Sequence, residues 1–173
     1  AAFVYNFIKT TQWPQEAMDK DRETFTIGII GINPFGNAFK PIENQTVKNR
    51  TLVVQYFSGF SALPQNSAGL PDLSNYDLAS LRRCHVLFIC ASEADVAGYI
   101  LEAIANSHVL TVSEISGFAD NGGMINFIPQ ASKGEFEINL ITLEKGGLAI
   151  SSKILRIAKR VISNEKQHRT DDA

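Results

Sequence analysis

The sequence predicts an α/β protein with a mostly parallel central sheet, helices on both faces, and an antiparallel hairpin near the C-terminus at the sheet edge. Two apolar runs rich in β-branched residues, Thr24–Ile32 and residues 84–91, are typical of strands that are covered on both faces. Helical patterns alternate with such strands along the first two thirds of the chain, which favours parallel pairing. The hairpin is predicted where two strand patterns follow each other without a helix between them.

The first predicted helix, residues 1–11, places apolar residues on one face and ends before Trp13-Pro14, because proline disfavours helix in the residue before it. The elements that follow are a strand at Thr24–Ile32, a turn and short helix in NPFGNAFKPI, a strand at Thr51–Phe57, a loop at Ser58–Asn75, a helix at Tyr76–Arg82, a strand at residues 84–91, a helix at Val96–Ala105 and a strand at His108–Ser113.

The C-terminal third changes this rhythm. Two strands, Gly123–Gln130 and Glu135–Ile141, are predicted to form a hairpin through Ala131–Gly134. Apolar and polar residues alternate in the second strand, so we expect one of its faces to be exposed. A closing amphipathic helix is predicted up to Ile162, with a basic row largely outside that contains Lys153, Arg156, Lys159 and Arg160.

Length and composition predict one domain, residues 1–163, followed by a polar tail, residues 164–173. The chain has 173 residues, of which 45% are hydrophobic, enough for one well-buried core. The formal net charge of −2 gives no field that would recruit nucleic acid. No apolar run reaches the length of about 20 residues that crosses a bilayer. The chain begins at Ala1, as a mature secreted domain or a trimmed one would, so a removed signal peptide is neither shown nor excluded.

The two cysteines flank a predicted strand. Cys84 and Cys90 are six residues apart, which separates their Cα atoms by about 20 Å in an extended chain. A disulfide needs a Cα separation of roughly 4.4–6.8 Å, so we expect two buried free thiols.

Residues suited to bond-breaking are scarce, so the chain is predicted not to be an enzyme and to hold no metal or cofactor. His85 and His108 lie in or beside apolar strands and lack a partner at a catalytic spacing. The turn GINPFG could hold an anion on its backbone amides, but it lacks the pattern of a phosphate loop and is interpreted as a plain strand-to-helix turn. Ser92, Glu93 and Asp95 are interpreted as helix-capping residues. Glu135 and Glu137 share a strand face and could bind a cation, although such charges more often discourage edge pairing.

Surface features remain as candidates for function. Phe118 lies at a glycine-rich corner, GFADNGG, where its ring is either tucked under the loop or offered to a partner. The basic residues Arg156, Lys159 and Arg160 either help to bind a small anionic ligand or form a solvated helix face. A parallel sheet also offers its strand ends as a ligand site, so a small-ligand receptor is an open alternative to a protein-binding module.

Taken together, several segments resemble the YfiR-like (HmsC-like) family in the same order along nearly the whole chain. They are AAFVYNFIKTTQWP, RRCHVLFICASE, HVLTVSEISGFADNGGMINF, FEINL and GLAISSKILRIAK. The most specific part is GFADNGGMINF together with FEINL.

The resemblance implies a periplasmic, non-enzymatic α/β protein that is made with a signal peptide and forms a homodimer. The best-known members of this family restrain an inner-membrane diguanylate cyclase by binding its periplasmic sensor region, which lowers cyclic di-GMP and biofilm or exopolysaccharide output. Other relatives are linked to sensor histidine kinases, so the membrane partner stays open. Redox control through disulfides does not carry over, because this chain has only Cys84 and Cys90. The residues predicted to bind a partner or ligand are Phe118, Asn126, Glu137, Arg156 and Arg160.

Overall fold

The structure, a computed structural model, describes residues 2–19, 23–129 and 134–164. The helices are α1 (Ala2–Thr10), α2 (Gln15–Asp19), α3 (Leu78–Arg83), α4 (Ala97–Ala103), α5 (Leu140–Lys145) and α6 (Ser152–Ile157), with 3-10 turns at Phe60–Ala62 and Ala91–Val96. The strands are β1 (Thr11–Gln12), β2 (Thr24–Ile30), β3 (Thr46–Val47), β4 (Arg50–Phe57), β5 (Val86–Ile89), β6 (Leu110–Ser113), β7 (Ile125–Phe127), β8 (Phe136–Asn139), β9 (Ala149–Ile150) and β10 (Arg160–Ile162). None of the helices within these ranges is long and apolar enough to cross a membrane.

The main sheet has eight strands among the described residues, in the order β10-β8-β7-β6-β5-β2-β4-β3. The central strands from β4 to β7 are parallel, and β7 and β8 form the antiparallel hairpin. A separate two-stranded pair joins β1 to β9. The predicted fold class is therefore confirmed.

Each face of the sheet carries its own apolar cluster. On the first face, Phe25, Val86 and Leu110 pack with residues of α1 and α6. On the second face, Leu87 and Ile89 pack with α3, α4 and the Phe60–Ala62 turn. Helices cover both faces because alternate residues of the buried strands β5 and β6 point to opposite sides and most of them are apolar.

The closing helix is shorter than predicted, and this is a correction. Helix α6 ends at Ile157, and Ala158 is extended with φ −65° and ψ 138°. The chain then forms β10, which pairs with β8 in parallel and lies outside the hairpin on that edge. The apolar spacing that predicted a helix to Ile162 spans two elements, and the β-branched residues Val161 and Ile162 belong to the strand.

Other elements also differ from prediction, and the first hairpin strand, predicted at Gly123–Gln130, spans only Ile125–Phe127. The second hairpin strand ends at Asn139, because its side-chain Oδ1 accepts a hydrogen bond of 3.0 Å from the Thr142 amide and so caps α5. The strand predicted to reach Ile141 therefore included the first two residues of this helix. The turn after β2 is not followed by a helix within residues 31–45, so the expected strand-to-helix turn is wrong there. The hairpin connection at residues 130–133 and the tail from residue 165 lie outside the described residues.

Candidate functional site

The corner loop, residues 114–124, connects β6 to β7 and lies on the second face of the sheet. Gly117 and Gly122 have φ of +73° and +96°, values that residues with a side chain rarely adopt. The loop is closed by hydrogen bonds from the Asn121 amide to the Gly117 carbonyl, 3.0 Å, and from the Gly123 amide to the Phe118 carbonyl, 2.8 Å. These glycines therefore serve the shape of the corner, as the sequence predicted.

Phe118 lies underneath the corner loop and not on its surface. Its side chain is only 1% exposed and belongs to the second apolar cluster. A side chain on Gly123 would overlap the Phe118 ring, so the glycine is needed to leave room for it. Of the two alternatives for Phe118, the structure shows the tucked one, and the ring is not available to a partner.

Two asparagines tie the corner loop to its neighbours. The Asn126 side-chain amide donates hydrogen bonds to three carbonyl oxygens, those of Ser113 at 3.3 Å, Ile115 at 2.9 Å and Phe127 at 3.1 Å. The Asn139 side-chain amide donates a hydrogen bond of 2.8 Å to the Ala119 carbonyl oxygen. Both asparagines are buried, and their amide donors are used within the fold. Asn126 thus holds the corner in place.

Arg160, at the start of β10, joins the corner loop to the hairpin. Its guanidinium group donates to both carboxylate oxygens of Asp120, at 2.8 and 2.7 Å, and to both of Glu137, at 2.9 Å each. The two-pronged geometry suits arginine, whose donors form a rigid planar fork. Hydrogen bonding to Asp120 first, and to Glu137 second, raises the pKa of Arg160, while hydrogen bonding to Arg160 lowers the pKa of Asp120.

An open depression of about 330 Å³ lies beside this ion cluster. It brings together three of the predicted residues, Asn126, Glu137 and Arg160, and has an apolar side formed by Phe127, Ile128 and Pro129. The two carboxylates and one guanidinium leave a single negative charge at its rim. The depression can therefore receive a group that combines hydrogen-bond donors with an apolar part.

Arg156 does not join this site. It lies on exposed α6, and that helix packs on the first apolar cluster through Ile154 and Leu155. The predicted basic row is divided between α6 and β10, and Lys159 pairs with Glu135 at 2.7 Å. Glu135 and Glu137 each face a basic side chain, so the alternative of a shared cation is not favoured.

His85, His108 and the two cysteines have structural positions. Nδ1 of His85 accepts a 3.1 Å hydrogen bond from the Thr26 amide, and the ring stacks on Phe25. Nδ1 of His108 lies 2.7 Å from the Gly146 carbonyl oxygen, and its Nε2 lies 2.7 Å from a carboxylate oxygen of Glu16. Cys84 and Cys90 are buried thiols at opposite ends of β5, as predicted, and burial raises the pKa of each to about 12. Within the described ranges, no group of three His, Cys, Asp or Glu side chains could hold a metal ion.

A buried carboxylate at the carboxyl end of the sheet was missed. Glu93 is 1% exposed and accepts hydrogen bonds from the Ser61 amide, 2.9 Å, the Ser61 hydroxyl, 2.7 Å, and the Ser92 hydroxyl, 2.9 Å. The capping interpretation was wrong, because neither adjoining helical turn has a side-chain cap. The available signal was topological: this loop follows β5 beside β2, where the strand order changes direction.

A search of curated proteins found no match. The sequence profile of the family described as YfiR/HmsC-like matches residues 1–159 of the 173. Arg160 lies just beyond the matched range, whereas Asp120 and Glu137 lie within it. Proteins of this family are in general periplasmic and regulatory rather than catalytic. Because the match covers most of the chain, including α1, the sheet from β2 to β8 and the corner loop, this protein belongs to the YfiR/HmsC-like family.

Proposed function

We propose that this protein is a periplasmic, non-enzymatic regulator that binds and restrains the periplasmic sensor region of an inner-membrane diguanylate cyclase. Restraint of the cyclase lowers cyclic di-GMP and with it the output of exopolysaccharide and biofilm. The observation that carries this proposal is the family match over residues 1–159. The protein binds one conformational state of the sensor region more tightly than the other. A regulator with equal affinity for both states would leave their populations unchanged.

The depression beside Arg160 is the surface that we propose for the membrane partner. Its frame is rigid, since Asn126 and the Arg160 ion cluster hold the corner loop, β8 and β10 together. Its exposed rim includes Ser116, Asp120 and Pro129. A partner segment with a basic group for the unbalanced carboxylate charge and an apolar side chain for Pro129 and Ile128 fits this surface.

The test places a bulky charge in the depression. Ser116 is exposed and lines it, so Ser116→Arg fills the space without disturbing the core. Ser67→Arg adds the same charge on an exposed loop that does not line the depression and is the matched control. We expect Ser116→Arg to weaken binding to the purified periplasmic region of the cyclase at least about tenfold, or ~1.4 kcal/mol, and to raise cellular cyclic di-GMP, while Ser67→Arg behaves as wild type. The proposal is contradicted if the wild-type protein does not bind this region and a strain that lacks the protein has unchanged cyclic di-GMP.

A second candidate is a periplasmic small-ligand sensor coupled to a membrane histidine kinase. A cavity of about 150 Å³ near the start of β6 favours it, with Leu101, Ile104 and Met124 as apolar walls and His108 and Lys145 as polar ones. Such a cavity suits a ligand about the size of one aromatic ring. A saturable rise in melting temperature with benzoate, lost in Ile104→Trp, supports this candidate.

A further inference from the structure

The outer edge of β4 is open over most of its length. Strand β3 covers only the first part, where Thr46 and Val47 pair with Thr51 and Arg50. The Leu52 main chain is still occupied, because its amide donates to the Gln45 carbonyl and its carbonyl accepts from the Asn44 amide, both at 2.9 Å. From Val53 to Phe57 the outer side has no strand among the described residues.

Odd-numbered and even-numbered residues of β4 direct their main-chain groups to opposite sides of the strand, and this identifies the groups that face the open edge. The Thr51 amide donates to the Glu23 carbonyl and the Phe57 carbonyl accepts from the Gly31 amide, so odd-numbered residues of β4 face β2. Even-numbered residues face outward, as Leu52 does. The amides and carbonyls of Val54 and Tyr56 therefore point to the open edge, where no hydrogen bond of the described residues engages them.

The side chains do nothing to protect this edge. Natural edge strands are usually blocked by charge, proline or a bulge, but the segment from Thr51 to Phe57 contains no charged residue, proline or glycine. Val53 is 37% exposed and Tyr56 is 51% exposed. An open, apolar and uncharged edge strand of this length is a template for pairing with another strand.

We propose that this edge is an interface between two copies of the chain, which pair β4 with β4 of the partner antiparallel about a two-fold axis at Gln55. The free segment is centred on Gln55, because β3 and the two residues before it occupy the edge as far as Leu52 and β4 ends at Phe57. In this register Val54 lies opposite Tyr56 of the other copy, and the two residues exchange hydrogen bonds in both directions, about four in all.

The side-chain pairs agree with the same register. Val53 meets Phe57 of the other copy on one face, Val54 meets Tyr56 on the other, and the two Gln55 residues meet on the axis. Apolar residues thus oppose apolar residues on both sides of the polar Gln55 pair, and no like charges are brought together. The pairing is self-complementary, as a two-fold interface must be, and this favours a second copy over an unrelated strand.

The interface is small, so a concentration-dependent dimer is expected rather than a permanent one. This inference extends the proposed function by naming the surface through which copies associate, and it is measured on the purified protein alone. A protein that does not bind a cyclase would therefore not contradict the proposed dimer, and a protein that does not dimerise would not contradict the proposed partner surface beside Arg160.

The first experiment is sedimentation equilibrium over roughly 1–200 µM. We expect the wild type to shift from monomer to dimer, and Gln55→Lys and Gln55→Glu each to weaken association at least about tenfold. A one-to-one mixture of these two variants should recover dimers, because opposite charges then meet on the axis. Gln65→Lys, which adds the same charge on an exposed loop, should dimerise as wild type.

Two measurements report on the main chain. Val54→Pro removes an outward amide and leaves the β2 ladder intact, so it should abolish dimers in a folded chain. Hydrogen exchange at Val54 and Tyr56 should slow as concentration rises, while Val53 and Gln55 stay slow throughout because they bond to β2. A monomer at all concentrations, dimers that survive both Gln55 variants, or a mixture that fails to recover dimers would overturn the inference.

Discussion

The contact between Phe118 and Gly123 gives the most direct test of the corner loop. Phe118 is 1% exposed, and removal of a buried phenylalanine ring to alanine costs about 3–5 kcal/mol. A methyl group on Gly123 would overlap that ring, so Gly123→Ala forces the ring or the loop to move, at about 1–3 kcal/mol. Gly123 has no positive φ, so its cost comes from the overlap alone.

The two effects should be strongly coupled. Once Phe118→Ala has removed the ring, the added methyl group at Gly123 has space, and Gly123→Ala should cost no more than about 0.5 kcal/mol in that background. The expected coupling energy is therefore about 0.5–3 kcal/mol. An independent pair of sites would give a coupling near zero.

Urea unfolding followed by circular dichroism measures all four proteins of this cycle. With a urea dependence of about 2 kcal/mol per molar, Phe118→Ala should lower the unfolding midpoint by roughly 1.5–2.5 M. A loss below about 1 kcal/mol for Phe118→Ala, or a coupling energy near zero, would refute the buried placement of the ring. Loss of partner binding with unchanged stability would point to the opposite alternative, a ring offered to a partner.

Two further predictions concern titration. Burial raises the thiol pKa of Cys84 and Cys90 to about 12, so iodoacetamide at pH 7.5 should leave both thiols unlabelled in the folded protein. In guanidinium, mass spectrometry should find both of them labelled. Rapid labelling of either thiol in the folded protein contradicts their burial. Arg160 lowers the pKa of Asp120, so the stability from this pair is present above the unfolded value near 3.9 and is lost as pH falls through the lower folded value. The stability difference between wild type and Arg160→Met should thus be constant from pH 5 to 8 and shrink below about 3.9; a difference that already shrinks at pH 6 contradicts this assignment.

The parallel sheet could be predicted from the sequence because its strands are buried on both faces. The four residues of β5 and the four of β6 are all buried, and such short apolar runs between helical patterns are a strong signal. Helix α6 and β10 could not be separated in the same way. Ile154, Leu155, Ala158, Val161 and Ile162 satisfy helical spacing, yet parallel pairing with β8 outweighs local propensity after Ile157.

The candidate site was predicted only in part, for a related reason. Glu137 and Arg160 were identified, but their contact depends on β10 being a strand that places Arg160 opposite Glu137. Asp120, the third member of the ion cluster, is 40 residues from Arg160 in sequence, and no local pattern indicates such a contact. Glu93 was assigned to capping because capping is local, whereas Ser61, which it binds, is 32 residues away.

The most specific segments of the family resemblance place several residues inside the fold and not on the surface that a partner would contact. In GFADNGGMINF and FEINL, Phe118, Gly123, Asn126 and Asn139 have their side chains or their space committed inside the fold. The ring of Phe118, the space at Gly123 and the amide donors of the two asparagines are committed to holding the corner loop, so they are not available to select a partner. Under the proposed function, selectivity comes from the rim of the depression, formed by Ser116, Asp120, Pro129 and Arg160. The ion cluster of Arg160 with Asp120 and Glu137 sets the charge of this rim, so we expect it to be one means by which the protein chooses a partner.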